Sequence, residues 1–264
     1  MSIETRINAA LARIEREENV EVLFAVESGS RAWGFPSRDS DFDVRFVFRR
    51  PIVDYLAVIP RRDVIETPID GALDINGWDV RKALALLVRS NAALLEWLAS
   101  PVRYRDNGAL TRLADLARRT ADLAALAYHY DHQARRSHAA ILAGHDVQLK
   151  SYCYALRPAL ALLWLREQEE VPPMDVPSLM VGLKLQGRVP EAVADLLARK
   201  AVATERDTTA RIPVLDAFIS DCLASPPRSA PPIDRSVVTA QADALFASLV
   251  LERDTSQPSD RNCR

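Results

Sequence analysis

The chain has 264 residues, with 34 Lys and Arg against 36 Asp and Glu, a formal net charge of −2, and 48% hydrophobic and 27% charged residues. This is the composition of one large or two ordinary globular domains; it excludes a globally disordered, collagen-like or membrane-spanning chain, and a surface adhesive to nucleic acid all over. Only eight glycines occur, less than half of what average usage of ~7% would place, so each one marks a backbone need. The three cysteines, Cys153, Cys222 and Cys263, are odd in number, widely spaced and in no CxxC pair. They form neither a disulfide framework nor a zinc knuckle. The first 18 residues alternate charge with apolar positions and lack an apolar signal run, so the expected setting is reducing and cytoplasmic.

In chain order, residues 3–18 place Ile3, Ile7, Leu11 and Ile14 at helical spacing, with Ser2 as N-cap. The run 20–26 (VEVLFAV) predicts a strand. Residues 28–40 (SGSRAWGFPSRDS) have loop chemistry, and 41–48 (DFDVRFVF) predict a second strand. Short strands are predicted at 64–67 and 72–75. Helical periodicity then takes over: 78–89, 91–99, 108–143, 147–169, 190–205, 213–224 and 235–252, with Gly144 breaking one long helix from the next. The stretch 225–235 (SPPRSAPPIDR) reads as a semi-rigid linker and 253–264 as a polar tail. The fold class is therefore α+β: a catalytic domain over 1–105 with a small mixed β-sheet flanked by helices, an all-helical domain over 106–252, and the tail.

The chemically loaded segment is Gly29-Ser30 followed, ten residues on, by Asp41-Phe42-Asp43. On a strand, Asp41 and Asp43 project from one face with Cα atoms ~7 Å apart, while Phe42 and Val44 point into a core. Two carboxylates so close repel unless a cation lies between them, and a hard divalent ion suits oxygen ligands. Gly29 lets the backbone approach a bulky anion, and Ser30 adds a hydroxyl and an N–H. A third carboxylate, Asp74, stands in an apolar setting (Ala72-Leu73-Asp74-Ile75) that draws it toward a partner. If this strand lies beside 41–48, three carboxylates can hold two metal ions ~4 Å apart for in-line displacement at phosphorus. Asp74 is then general base or metal ligand. Arg45 shares the face of Asp41 and Asp43 and is expected to pair with one of them. Asp39 reads as a loop residue.

These residues resemble the polymerase-beta nucleotidyltransferase superfamily, whose signature is Gly-Ser, a spacer of this length, and Asp-x-Asp among apolar residues, with a further Asp on a later strand. The string GSRAWGFPSRDSDFDVRF, with LDINGWDVRKAL (73–84), SNAALLEWLASPVRY (90–104), the HY at 129–130 and KSYCYALRPALALLWL (150–165), resembles its RNA repair pathway branch. The resemblance implies a mixed sheet followed by a helical domain closing a nucleotide cleft. It implies transfer of a nucleoside monophosphate from an NTP to an acceptor, with pyrophosphate released and two Mg²⁺ or Mn²⁺ ions as cofactors. By position, Asp41, Asp43 and Asp74 match the catalytic and metal-binding carboxylates; Gly29, Ser30 and the adjoining Arg31 match the nucleotide-binding loop. The branch name implies an RNA 3′ end as acceptor.

In the helical half, Lys150, Tyr154 and Arg157 fall at i, i+4 and i+7 on one helical face. That face can offer two cations and a ring to a nucleotide, or can be an ordinary amphipathic face with snorkelling cations. All four histidines lie in 129–145; His129 and His132 are one turn apart, and His138 falls roughly opposite His129. Trp33 is expected to pack the signature loop down. The leading expectation is a metal-dependent nucleotidyltransferase. Its rivals are a nucleotidyltransferase acting on an aminoglycoside-like small molecule or a protein, and an NTP-binding regulatory or antitoxin-type partner module without turnover.

Overall fold

The computed structural model describes residues 2–144, 146–225 and 233–252. The tail at 253–264, most of the proline-rich linker, and His145 lie outside the described residues. Ser2 caps helix α1 (Ile3–Glu18), its hydroxyl accepting from the Thr5 N–H, and Asn19 closes it in the left-handed conformation. Strand β1 (Glu21–Glu27) leads through the one-turn helix α2 (Ser30–Trp33) to β2 (Phe42–Arg49). The chain continues through α3 (Ile52–Tyr55), β3 (Val64–Glu66), β4 (Leu73–Asp79), α4 (Val80–Val88), α5 (Ala92–Leu98) and β5 (Arg103–Asp106).

These strands form one mixed sheet in the order β3-β4-β2-β1-β5, with β2 and β4 parallel and the other neighbours antiparallel. Period-2 alternation sorts its two faces. Val44, Phe46 and Phe48 join Ile7, Leu11 and Ile14 of α1 in one buried cluster. Val26 and Val47 look the other way, into a larger core shared with the helices. Those are α6 (Ala109–Thr120), α7 (Leu123–Leu142), α8 (Leu149–Glu167), α9 (Val176–Leu183), α10 (Val189–Val202), α11 (Pro213–Ala224) and α12 (Arg235–Leu251), with a two-stranded ribbon of β6 (Asp146–Gln148) and β7 (Thr208–Ala210). The fold is α+β, as expected, and its larger core runs unbroken from Leu23 to Val250. No helix among the described residues is long and apolar enough to cross a membrane.

Several boundaries differ from the sequence expectations. The helix expected from residue 78 begins at Val80, because β4 continues its alternation through Gly77 and Asp79, and the Asp79 side chain then caps α4 by accepting from the Arg81 N–H. The helix expected over 108–143 is two helices, parted at Ala121-Asp122, where Asp122 caps α7 through the Ala125 N–H. Asp41 precedes β2 instead of opening it.

The β2–β4 register sets the geometry of everything that follows, and it depends on one close contact. Gly77 lies directly opposite Phe46, and a Cβ there would fall 2.2 Å from the Phe46 ring. Phe46 is fully buried and has nowhere to move. Gly77→Ala is therefore expected to cost roughly 1–3 kcal/mol by overpacking, read as a lowered urea midpoint with unchanged slope.

Candidate active site

The parallel register places Asp43 directly opposite Asp74. At a strand spacing of roughly 4.8 Å their side chains stand side by side on the face away from α1. The strand carrying Asp74 therefore lies beside β2 as the three-carboxylate expectation required, but Asp41 does not join the pair. Arg45 lies on the same face and pairs with both carboxylates: its Nη2 donates to Asp74 Oδ2 at 2.7 Å and to Asp43 Oδ1 at 3.3 Å. Asn76 holds the other oxygen of Asp74 at 2.7 Å. Asp41 stands exposed at the mouth of β2. Among the described residues, no three His, Cys, Asp or Glu side chains converge into a ligand set. Asp43 and Asp74 are brought together; Asp41 acts on Asp43 only through its charge.

Asp43 sits over the Gly29-Ser30 turn. Gly29 has φ +90°, and a Cβ on it would lie 2.3 Å from Asp43 Oδ2, so only glycine gives the carboxylate this seat. The Ser28 N–H donates to the Asp43 carbonyl at 2.8 Å. Burial raises the Asp43 pKa, opposed by Arg45 and reinforced by the charges of Asp74 and Asp41. Ser30 opens α2. Arg31 turns away from the carboxylates. Its Nε and Nη2 donate to the carbonyls of Asp41 (3.0 Å) and Ser40 (2.7 Å), and its guanidinium stacks 3.8 Å from the centre of the Phe42 ring. It pins the backbone at the entrance to β2.

Of the predicted face on α8, only Tyr154 looks toward the carboxylates. Burial raises its pKa, and the charges of Glu205 and Asp43 add to the effect. Its ring meets Trp33 edge-on at 5.4 Å and Phe35 at 6.1 Å, so Trp33 packs the loop as expected. Lys150 lies 3.6 Å from Glu205 Oε2. Arg157 is only 2% exposed, bonded to Glu96 at 2.8 Å and to the Met174 carbonyl, with its guanidinium over the Trp33 ring. It lies beneath the loop and is not brought to the cleft. His129 stands beside this pair, its pKa lowered by burial and by Arg157 against the pull of Glu96.

Two groups of residues escaped the sequence reading. Glu27, fully buried at the end of β1, accepts from the Asp43 N–H at 2.8 Å and from the Tyr104 hydroxyl. Glu205 accepts from Ser37, Ser40 and Lys200, and its N–H donates to Asp39, tying the signature loop to the segment after α10. Neither had a local signal. Burial pushes the Glu27 carboxyl up to about 6, with the Tyr104 and Asp43 hydrogen bonds holding it back. A carboxyl raised above its unfolded value contributes stability that is full below about pH 4.5 and lost as pH rises through 6, worth on the order of 2 kcal/mol. Glu27→Gln should remove this slope. Urea unfolding at pH 4.5 and pH 7 should show the wild type losing that much relative to the variant.

A mixed sheet with carboxylates on neighbouring strands, one of them seated over a Gly-Ser turn, and helices packed behind the turn is the arrangement that the resemblance to polymerase-beta nucleotidyltransferases implies. The chain belongs to the RNA repair pathway DNA polymerase beta family, which it matches over residues 3–248. It is 43% identical over 220 residues to the uncharacterized protein YcgL of Bacillus subtilis, covering 82% of this chain and 84% of that one. A crystal structure of a nucleotidyltransferase-like protein from Exiguobacterium sibiricum aligns over 95% of this chain and 76% of its own, at 14% identity and a TM-score of 0.31.

Proposed function

We propose that this protein transfers a nucleoside monophosphate from an NTP to an acceptor hydroxyl and releases pyrophosphate. The observation that carries the reading is the register pair Asp43–Asp74, with Asp43 seated over Gly29. The donor set is hard oxygen, and its negative charge is balanced by Arg45, which stands where a cation is needed; these residues fit a divalent ion. Asp43 and Asp74, with Asp41 at the mouth, would hold Mg²⁺ or Mn²⁺, two ions in the full arrangement. Such ions neutralise the triphosphate and lower the pKa of the attacking hydroxyl. Asp43 occupies the space over Gly29, so Ser30, at the start of α2 beside that carboxylate, would face the β- and γ-phosphates. Arg31 fixes the strand entrance on which Asp41 rides, Tyr154 walls the cleft from the helical side, and Lys150 and Arg157 hold the loop from behind. Arg45 must release at least one carboxylate when nucleotide and metal arrive.

The family's description names an RNA repair pathway, and on that ground an RNA 3′ end is the first acceptor to test. A small hydroxylated molecule or a protein side chain is the next candidate. A second reading, an NTP-binding partner module without turnover, draws support from the same arginine, since Arg45 already satisfies both carboxylates. The test is incubation with each labelled NTP, Mg²⁺ or Mn²⁺, and in turn RNA, aminoglycoside and protein acceptors. Asp41→Ala and Asp43→Ala are run alongside. Label transfer with pyrophosphate release, lost in the variants, supports the enzyme. Nucleotide binding with neither product supports the partner module, and transfer that survives both substitutions sinks the carboxylate assignment.

A further inference from the structure

At the far end of the same sheet lies a cavity of about 570 Å³ between the segment following β2, the α3–β3 loop and α4. That volume is in the range of small-ligand sites. It lies at the C-terminal ends of β2 and β4, whereas Asp43 and Asp74 lie near their N-terminal ends. Asp79, the last residue of β4 and part of the cavity lining, lies five positions along the strand from Asp74. At ~3.3 Å per residue that is roughly 17 Å, so the two places are separate.

The cavity is cationic in a chain of net charge −2. Six of its lining side chains are Arg or Lys and three are carboxylates. Arg61, Arg62 and Lys82 have carboxylate partners in Asp54, Glu66 and Asp63. The other three are under-matched: Arg50 and Arg81 share the charge of one buried carboxylate, Asp79, without a salt bridge to it. Arg50 is nine-tenths buried. Its Nη atoms reach two carbonyls at 3.3 Å, its nearest ion-pair contact is Glu18 at 3.9 Å, and its Nε has no partner. Arg81 is held in place by the Tyr55 carbonyl and by stacking over the Tyr55 and Phe246 rings. Among the described residues, neither Arg81 nor Arg89 forms an ion pair, and both are exposed. A buried or immobilised cation without its counter-charge is costly, and a planar guanidinium fork matches phosphate oxygens in pairs.

We propose that this cavity is a second anion site that takes a phosphate-bearing ligand of nucleotide size, with Arg50, Arg81 and Arg89 as its cationic wall. The site is independent of the carboxylate centre and stands whether or not that centre is a transferase. The ligand is a free phosphate compound; a nucleic-acid backbone carries the same phosphate chemistry, and the oligonucleotide arm of the experiment tells it apart. Equilibrium dialysis is run with labelled pyrophosphate, ATP and a short RNA oligonucleotide, without divalent ions. The proteins are the wild type, Asp43→Asn, Arg81→Gln/Arg89→Gln and Arg89→Lys, each with its melting temperature recorded. The expected result is a binding class for pyrophosphate and ATP that persists in Asp43→Asn and Arg89→Lys. That class weakens at least tenfold in the double variant at unchanged melting temperature. Three results overturn it: no binding of either compound to the wild type at millimolar concentration, a single binding class lost in Asp43→Asn and kept in the double variant, or an effect of the double variant confined to the oligonucleotide. The second of these leaves the carboxylate site standing.

Discussion

Asp43→Asn should abolish nucleotidyl transfer while leaving the fold at least as stable as the wild type. The two effects separate because the carboxylate is held against its own preference. Burial raises its pKa, and the charges of Asp74 and Asp41 push the same way, opposed by Arg45 and, more weakly, by Arg31. Asparagine keeps the shape, and its carbonyl oxygen can still accept from Arg45 Nη2. It removes the like-charge contact with Asp74, so unfolding free energy should stay within about 1 kcal/mol of wild type or rise, as for a substitution that leaves no buried group orphaned. Activity is another matter. Charge stabilisation at a transferring phosphoryl group is worth several kcal/mol, so a loss of ~10³-fold or more is expected. Pyrophosphate release and label transfer measure it, and urea unfolding measures stability. An activity within tenfold of wild type would remove Asp43 from the reaction. Asp74→Asn should share the loss, because the register makes the two one unit.

The parts of the site that could be read from the sequence are those encoded by short-range period. Residues 41–46 (DFDVRF) alternate polar with apolar, so Phe42 and Val44 were assignable to the core and Asp43 and Arg45 to the opposite face. Asp74 stood out because a carboxylate between apolar neighbours is anomalous. What stayed hidden depends on distant pairing. Glu27 matters because of a backbone N–H 16 residues on and a hydroxyl 77 residues on. The strand β5 is four polar or aromatic residues, RYRD, at a sheet edge, and alternation has nothing there to act on. On α8 the spacing of Lys150, Tyr154 and Arg157 was correct but its depth was not. That helix is buried on nearly every side, with Ala155, Leu156, Pro158 and Ala159 all inside. A helical wheel gives direction and cannot say how much chain lies beyond. The long helix over 108–143 failed for a related reason: an alanine before an Asp cap carries no breaker signal.

The second large effect is expected at a residue with no motif at all. Lys200 is 1% exposed, and its ammonium donates to Glu205 Oε1 at 2.7 Å. The same oxygen accepts from the Ser37 hydroxyl at 2.6 Å and the Ser40 hydroxyl at 3.3 Å, while the Arg38 N–H donates to the Ala203 carbonyl at 3.2 Å. Residues 37–40 lead directly into Asp41 and β2, so this junction sets how the carboxylate strand begins. Glu205→Ala would leave a buried ammonium without its counter-charge. Breaking one side of a buried pair is far more costly than replacing both, and roughly 3 kcal/mol is expected, the low end for such a loss because Glu205 is partly exposed. The double variant Lys200→Met/Glu205→Leu should recover most of that, since no unpaired charge remains. The pH response has a definite sign. Burial alone would raise the Glu205 carboxyl, but the hydrogen bonds from Lys200 and Ser37 and the charges of Lys200 and Lys150 hold it at about 2. Its contribution is therefore present above the unfolded value near 4.5 and lost as pH falls toward 2. The double variant should lack that acid limb. If Glu205→Ala unfolds within about 1 kcal/mol of wild type, the junction is not what holds the loop, and Arg31 alone must fix the entrance to β2.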